Sequence, residues 1–180
     1  MEVISKKVRK LSAKQEQCAT RIARFNSGLS ILELATADHV SFKSMYGYLL
    51  SHNALSDTYL ADEYEAAART VGLPEPIREF HFMKTAPDHV KALFQTSKTR
   101  RVRDYRADYC YENLVIVEID GGTRGKMGGA HNVDREKRNA YALCGWKVLY
   151  FDIDLLADPI RCATLVKIAL EIRPELEGQP

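Results

Sequence analysis

The feature that most constrains this chain is an apolar segment that ends in acidic residues. Residues 114–119 are apolar at all but one position, which is typical of a strand buried on both faces of a sheet. Glu118 and Asp120 stand at its C-terminal end, and residues two apart on a strand share a face. Burying an uncompensated carboxylate is costly, so we expect a cation or strong hydrogen-bond donors beside this pair.

The preceding segment supplies a third acid, Asp108. We expect a hairpin turn that brings Cys110 near Leu114. In that register Asp108 pairs with Ile116 and lies diagonal to Glu118. Diagonal neighbours are about 7–8 Å apart, so their side chains can share one ion.

Three carboxylates at one strand end predict a site for a hard cation, because Mg²⁺ prefers oxygen ligands. The simpler alternative is that Asp108 and Asp120 only mark strand ends and turns, where Asp is common. A zinc site is less consistent with the sequence, because no second His or Cys lies at ligand spacing from His131.

The rest of the C-terminal region alternates between helix and strand. Helical spacing places Val133, Ala140, Tyr141 and Cys144 on one side of a helix, and Gly145 is a good stop for it. A strand is predicted at 146–151 and an amphipathic helix at 159–172. The predicted order is three strands, a helix, a strand and a helix, which is an α/β fold.

That order, together with six short stretches of sequence, resembles the very-short-patch-repair-like branch of the PD-(D/E)xK nuclease superfamily. The branch includes small phage and bacterial endonucleases and related homing endonucleases. The resemblance covers about residues 60–172 and implies a restriction-endonuclease-like core, a mixed sheet flanked by helices. The matching stretches are 72–80, 105–108, 117–122, His131, 134–140 and 145–149.

The resemblance assigns roles to five residues. Asp108 matches the strand aspartate that binds the catalytic metal, and Glu118 matches the acid of the second half-motif. Asp120 stands where the wider superfamily has a lysine, and a role in orienting water or holding a second ion is open to it. His131 matches a histidine that assists the attacking water or the hydration of the metal. Glu63 matches a metal-supporting glutamate on a helix, although a solvated helix face explains that residue equally well.

Without a lysine at position 120, the positive charge facing the scissile phosphate must come from elsewhere. Lys137 and Lys126 are the candidates, and an ordinary surface lysine is the alternative for Lys137. Residues 83–98 form an insertion, for which a helix over the site and a longer connection both remain open. The implied reaction is hydrolysis of DNA phosphodiester bonds with Mg²⁺, for which Mn²⁺ should substitute.

The N-terminal third predicts a separate helical module, residues 1–56, before a nuclease domain at 57–180. Ser30 and Ser41 are placed to cap two helices with a turn between them, which is the pattern of a helix-turn-helix. Met45, Tyr48 and Leu49 should then face inward. The outward residues expected to contact DNA are Lys43, Ser44 and Tyr46. An ordinary pair of packed helices is the alternative.

A formal net charge of +2 means that DNA affinity must come from local patches. One patch precedes Asp108 and predicts phosphate contacts from Arg100, Arg101, Arg103 and Arg106; a basic edge strand protected against pairing is the alternative. Four cysteines without a CxxC pair, together with no long apolar run, predict a cytoplasmic protein of a bacterial or phage-infected cell that does not enter membranes.

Three functions therefore stay open from the sequence. The first is a metal-dependent DNA endonuclease, which the joint presence of Asp108, Glu118 and His131 favours. The second is an inactive DNA-binding regulator that keeps the nuclease fold, and the third is an adaptor that binds another protein.

Overall fold

The computed structural model describes the backbone of residues 13–95, 101–121 and 130–172, without the side chains of 13, 14 and 130–133. The contacts divide the chain into two compact units, residues 1–57 and residues 58–180. This division falls one residue after the boundary that the sequence predicts. The helices and strands follow in chain order: α1 (Ala13–Asn26), α2 (Ile31–Ala37), α3 (Phe42–Ser51), α4 (Tyr59–Val71), β1 (Ile77–Phe80), α5 (Phe82–Thr85), α6 (Asp88–Leu93), β2 (Ala107–Tyr111), β3 (Val115–Asp120), α7 (Ala130–Leu143), β4 (Lys147–Asp152), a short 3₁₀ helix (Leu155–Ala157) and α8 (Pro159–Glu171).

The first unit is helical, and both predicted caps are present. The Ser30 side chain accepts a hydrogen bond from the Glu33 backbone N–H, and the Glu33 carboxylate accepts one from the Ser30 N–H, which completes a capping box. Ser41 caps α3 through a bond from the Ser44 N–H. His39, in the turn between α2 and α3, has a left-handed backbone with φ of 54°, the conformation for which glycine is usual.

The second unit is α/β and contains a four-stranded mixed sheet in the order β1-β2-β3-β4. The pairs β1–β2 and β2–β3 are antiparallel, and β4 runs parallel to β3. The parallel pair is connected through α7, as a parallel connection requires. The predicted order of strands and helices in this unit is confirmed, and the first part of the insertion contains most of α5 and all of α6.

The predicted register of the β2–β3 hairpin is wrong by two residues. Cys110 pairs with Ile116, not with the region of Leu114. The apolar Leu114 belongs to the turn, where it has a left-handed backbone with φ of 58°, and β3 begins one residue later. Extending the observed register places Asp108 directly opposite Glu118, closer than the diagonal arrangement that the sequence predicts.

Helices cover both faces of the sheet, and both interfaces are apolar. On one face Ile116 packs with Ala140 and Tyr141 of α7 and with Phe82 of α5, all with no more than 1% exposure. On the other face Tyr64 of α4 contacts the strands and α4 packs against α8, in accord with the alternation of side chains along a strand. The acidic residues near the start of β2 and the end of β3 therefore lie beside a well-packed apolar core.

Candidate active site

Asp108 and Glu118 meet at the end of the β2–β3 pair. Asp108 is the second residue of β2, and the register sets it opposite the fourth residue of β3. One oxygen of the Asp108 carboxylate accepts a hydrogen bond of 2.7 Å from the Ile119 backbone N–H. This bond holds the carboxylate against β3. Burial raises the pKa of Glu118, and the negative charge of Asp108 adds to the increase.

Glu118 binds two side chains of α7. The ammonium of Lys137 lies 2.7 Å from one carboxylate oxygen and 2.8 Å from the other, and the Tyr141 hydroxyl donates to the first of these oxygens. The Glu118 side chain is 12% exposed and that of Lys137 is 17% exposed. Burial raises the pKa of the Glu118 carboxyl, while Lys137 and Tyr141 act in the opposite direction.

The spacing of residues along α7 explains why Lys137 points towards the sheet. Ala140 and Tyr141 are buried, and Lys137 precedes them by three and four residues, on the same helical face. Position 137 also lies four residues after Val133, so it falls on the side of the helix that the sequence predicts to be apolar. Lys137 is therefore not an ordinary surface lysine. Tyr141 is a site residue that the sequence interpretation assigned only to the core, and its spacing of four from Lys137 was the available signal.

Asp120, the third acid expected at the strand end, does not form a metal-binding group with Asp108 and Glu118. Asp120 is the exposed last residue of β3, aligned in register with Asp152 of β4. Among the residues that the structure describes, no group of three or more His, Cys, Asp or Glu is placed to hold a metal ion. Asp108, Glu118 and Asp120, the three carboxylates that the sequence predicts to converge, therefore do not form such a group in the described part of the chain, and Asp120 lies beyond the part of β3 that faces β2.

His131 lies in the first turn of α7, six residues before Lys137. Its side chain is outside the described residues, so its predicted catalytic role stays a prediction. Lys126 falls outside the described residues altogether.

Glu63 is not brought to Asp108. It is exposed on α4, and its partner there is Tyr59, whose pKa is raised to about 12 by burial and by Glu63. The acid of α4 that reaches the sheet is Glu65, which accepts a hydrogen bond of 2.8 Å from the Tyr109 hydroxyl and pairs with Arg78. Tyr109 and Asp108 are neighbours on a strand, so their side chains take opposite faces and Glu65 lies across the sheet from the candidate site.

The basic stretch before Asp108 is only partly available for phosphate contacts. Arg103 pairs with Glu136 at 3.0 Å, and Arg106 pairs with Glu79 at 2.8 Å. Arg101 is exposed, and Arg100 lies outside the described residues. Both ion pairs are largely exposed, so they are weak enough for a phosphate to exchange with the acid.

Arg138, the residue after Lys137 on α7, contacts a tyrosine of β4. The guanidinium carbon of Arg138 is 4.6 Å from the centre of the Tyr150 ring, in a cation–π contact. Tyr150 is the register partner of Glu118 on β4. Burial raises the pKa of Tyr150, and Arg138 lowers it.

In the helical unit the residues predicted to contact DNA divide into two groups. Lys43 and Ser44 are exposed on α3, as the sequence predicts. Tyr46 is buried, with 4% exposure, so the prediction that it faces outward is wrong. Its position beside the buried Met45 explains this: the apolar face of α3 is wide enough to include both.

The two carboxylates fit a hydrated divalent cation. Such an ion typically takes one or two protein carboxylates and keeps several waters. Only one carboxylate oxygen of Asp108 accepts the hydrogen bond from Ile119, so the other oxygen can bind a cation. Glu118 lies opposite Asp108 in the strand register. The donor set of two oxygen ligands suits Mg²⁺ or Mn²⁺ better than zinc.

Comparisons with protein-family models, with curated proteins and with solved structures found no match to this chain. None of the helices in the described ranges is long and apolar enough to cross a membrane.

Proposed function

We propose that this protein is a Mg²⁺-dependent DNA endonuclease with a restriction-endonuclease-like core. The observation that carries the proposal is the grouping of Asp108, Glu118 and Lys137 on two adjacent strands and one helix. Two acids can hold a divalent cation, and a lysine beside them adds a positive charge that can stabilise the charge developing on a phosphate during hydrolysis. Lys137, on α7, supplies the positive charge that a lysine at position 120 would otherwise provide.

The roles of the residues follow from their contacts. Asp108 and Glu118 would hold Mg²⁺, or Mn²⁺ in its place, and this ion supplies Lewis-acid stabilisation of the charge that develops on the phosphate. Tyr141 and Lys137 fix the orientation of the Glu118 carboxylate. The ammonium of Lys137 also offers a positive charge to the scissile phosphate. His131, near the start of the same helix, would transfer protons.

DNA would be held by cations around this site and on the helical unit. Arg101 is exposed just before β2, and Arg103 and Arg106 can exchange their acidic partners for phosphates. Lys43 and Ser44 on α3 present a small polar surface of the kind that a helix-turn-helix uses. We place this activity in the cytoplasm of a bacterium or a phage-infected cell, where the DNA would be accessible.

The direct test is cleavage of supercoiled plasmid by the full-length chain with Mg²⁺ or Mn²⁺, with and without a chelator. Asp108→Asn should abolish cleavage, because the amide is a poor cation ligand. It should fold normally, because the Asn side-chain oxygen can still accept the bond from Ile119. Glu112→Gln, in the exposed hairpin turn, is the matched control and should cut like the parent. Full activity of Asp108→Asn at saturating Mg²⁺ would refute the proposed site.

A DNA-binding regulator without nuclease activity is the second candidate. The observation that favours it is the pair of short helices α2 and α3, each with its serine cap, joined by a turn that has a left-handed residue at His39. The bonds of Glu118 to Lys137 and Tyr141 can also serve stability alone. A mobility shift that is not accompanied by cleavage under any metal condition would support the regulator, and metal-dependent nicks would exclude it.

A further inference from the structure

The Glu118 carboxylate is already heavily engaged before any metal binds. A carboxylate offers about four lone-pair sites on its two oxygens. The Lys137 ammonium lies within hydrogen-bond distance of both oxygens, at 2.7 and 2.8 Å, and the Tyr141 hydroxyl takes a further site on one of them. A cation that binds Glu118 must therefore share the carboxylate with a positive charge that is covalently fixed to the protein.

We propose that Lys137 is a built-in competitor of the divalent cation, and that it sets the affinity of the site for Mg²⁺ to a low value. This inference rests on the proposed function, since it assumes that Asp108 and Glu118 are the cation ligands. It goes beyond that function because it assigns to Lys137 an effect on the metal in the absence of DNA.

The charges of the three residues give the direction of the effect. Asp108 and Glu118 together carry two negative charges, and Lys137 neutralises one of them. Removing the ammonium therefore doubles the net negative charge that attracts the cation, and it also removes a positive charge in direct contact with one ligand. The side chains of Glu118 and Lys137 are less than one-fifth exposed, so water screens this repulsion weakly.

The neighbouring residue of α7 provides a matched control. Arg138 carries the same charge, but its guanidinium lies over the ring of Tyr150 at 4.6 Å. A general effect of net charge on cation binding would be the same for Lys137 and Arg138. A competition for the Glu118 oxygens would be specific to Lys137.

The experiment is a titration of the full-length, DNA-free protein with Mn²⁺ at about pH 8, chosen well above the ordinary range of carboxyl pKa values because burial raises the pKa of Glu118. Free Mn²⁺ is measured by electron paramagnetic resonance, so the result does not depend on cleavage. Lys137→Met should bind Mn²⁺ at least about tenfold more tightly than the parent. Arg138→Met should bind like the parent. Lys137→Gln should behave like Lys137→Met, which keeps the test usable if the methionine variant does not fold.

The outcomes separate this inference from the proposed function. Unchanged or weaker Mn²⁺ binding by the folded Lys137 variants would overturn the competition. An equal gain in Arg138→Met would also overturn it, since the effect would then be general. The double variant Asp108→Asn, Lys137→Met tests the ligands: if it keeps the tight binding, the cation is held elsewhere and the proposed metal site fails together with the inference.

Discussion

Replacing Tyr141 with Phe tests how much the hydrogen bond between Tyr141 and Glu118 contributes to the stability of the folded protein. Tyr141 is 1% exposed, and its hydroxyl donates to Glu118. Removing the hydroxyl creates little cavity, so the cost is mainly the lost hydrogen bond. A bond to a charged acceptor contributes about 1.5–3 kcal/mol, and one between neutral groups contributes about 0.5–1.5 kcal/mol. We therefore expect the free energy of unfolding to fall by about 1.5–3 kcal/mol when Glu118 is ionised.

The cost should depend on pH with a defined sign. Burial raises the pKa of Glu118 in the folded protein above its value in the unfolded chain. Between these two values the folded state binds more protons, so the free energy of unfolding decreases as the pH rises. The Tyr141 hydroxyl lowers the pKa of Glu118, and its removal extends this decrease to higher pH. The difference between parent and variant should thus be smallest in acid and largest near neutrality.

Urea unfolding followed by circular dichroism at about pH 4 and about pH 8 measures this difference. Tyr64→Phe is the control, because its hydroxyl bonds the Tyr111 hydroxyl at 2.8 Å in a neutral, buried pair. That variant should lose about the same free energy at both pH values. A loss in Tyr141→Phe that is equally independent of pH, or one below about 0.5 kcal/mol at neutral pH, would refute the charged hydrogen bond.

Three further predictions concern other parts of the chain. The hydrogen bond from Arg21, with help from Arg24, holds the pKa of Asp38 below its usual value. Ionised Asp38 therefore stabilises the fold fully above its pKa in the unfolded chain, and this stabilisation is lost as the pH falls through its pKa in the folded protein. Asp38→Asn should cost the helical unit about 1.5–3 kcal/mol at neutral pH, seen as earlier loss of helix on heating. Lys43→Ala should reduce the salt dependence of DNA binding by about one unit of slope in a mobility-shift titration, and an unchanged slope would exclude a phosphate contact there. His131→Ala should slow plasmid cleavage by about 10²–10⁴, and a parental rate would show that it transfers no proton.

The sequence predicted the order of elements in the α/β unit because each element has a clear local signal. The buried run at β3, the stop at Gly145 and the apolar spacing of α7 each depend on a few neighbouring residues. The hairpin register could not be predicted in the same way. Leu114 is apolar and extends the run, yet it occupies a left-handed turn position, and nothing in the local sequence shows that an L-residue will accept that conformation.

The sequence predicted the residues of the candidate site that lie on strands but not the contacts of those on α7. Asp108 and Glu118 were identified from alternation and position, and a register error of two residues kept them on the same face. Lys137 could be predicted as a candidate but not as a partner of Glu118, because the rotation of α7 depends on its packing against the sheet.

In the helical unit, too, the sequence does not show which side of a helix is buried. Tyr46 and Tyr48 lie on either side of the buried face of α3, and the helical period alone does not decide which of them is covered. Tyr46 is buried, whereas Tyr48 stacks on His52 and has the guanidinium of Arg21 at 4.9 Å from its ring centre. The decision between them depends on tertiary neighbours.

Asp108 and Glu118 have different kinds of partner, so substitutions at the two positions should affect the evolution of this protein differently. Glu118 is joined to side chains of α7, so under the proposed function a substitution there should lower both the stability of the protein and its rate of DNA cleavage. Asp108 accepts from a backbone amide, a bond that asparagine can replace. Under the proposed function, position 108 is therefore a place where a single substitution in a descendant of this chain would remove DNA cleavage and keep the structure.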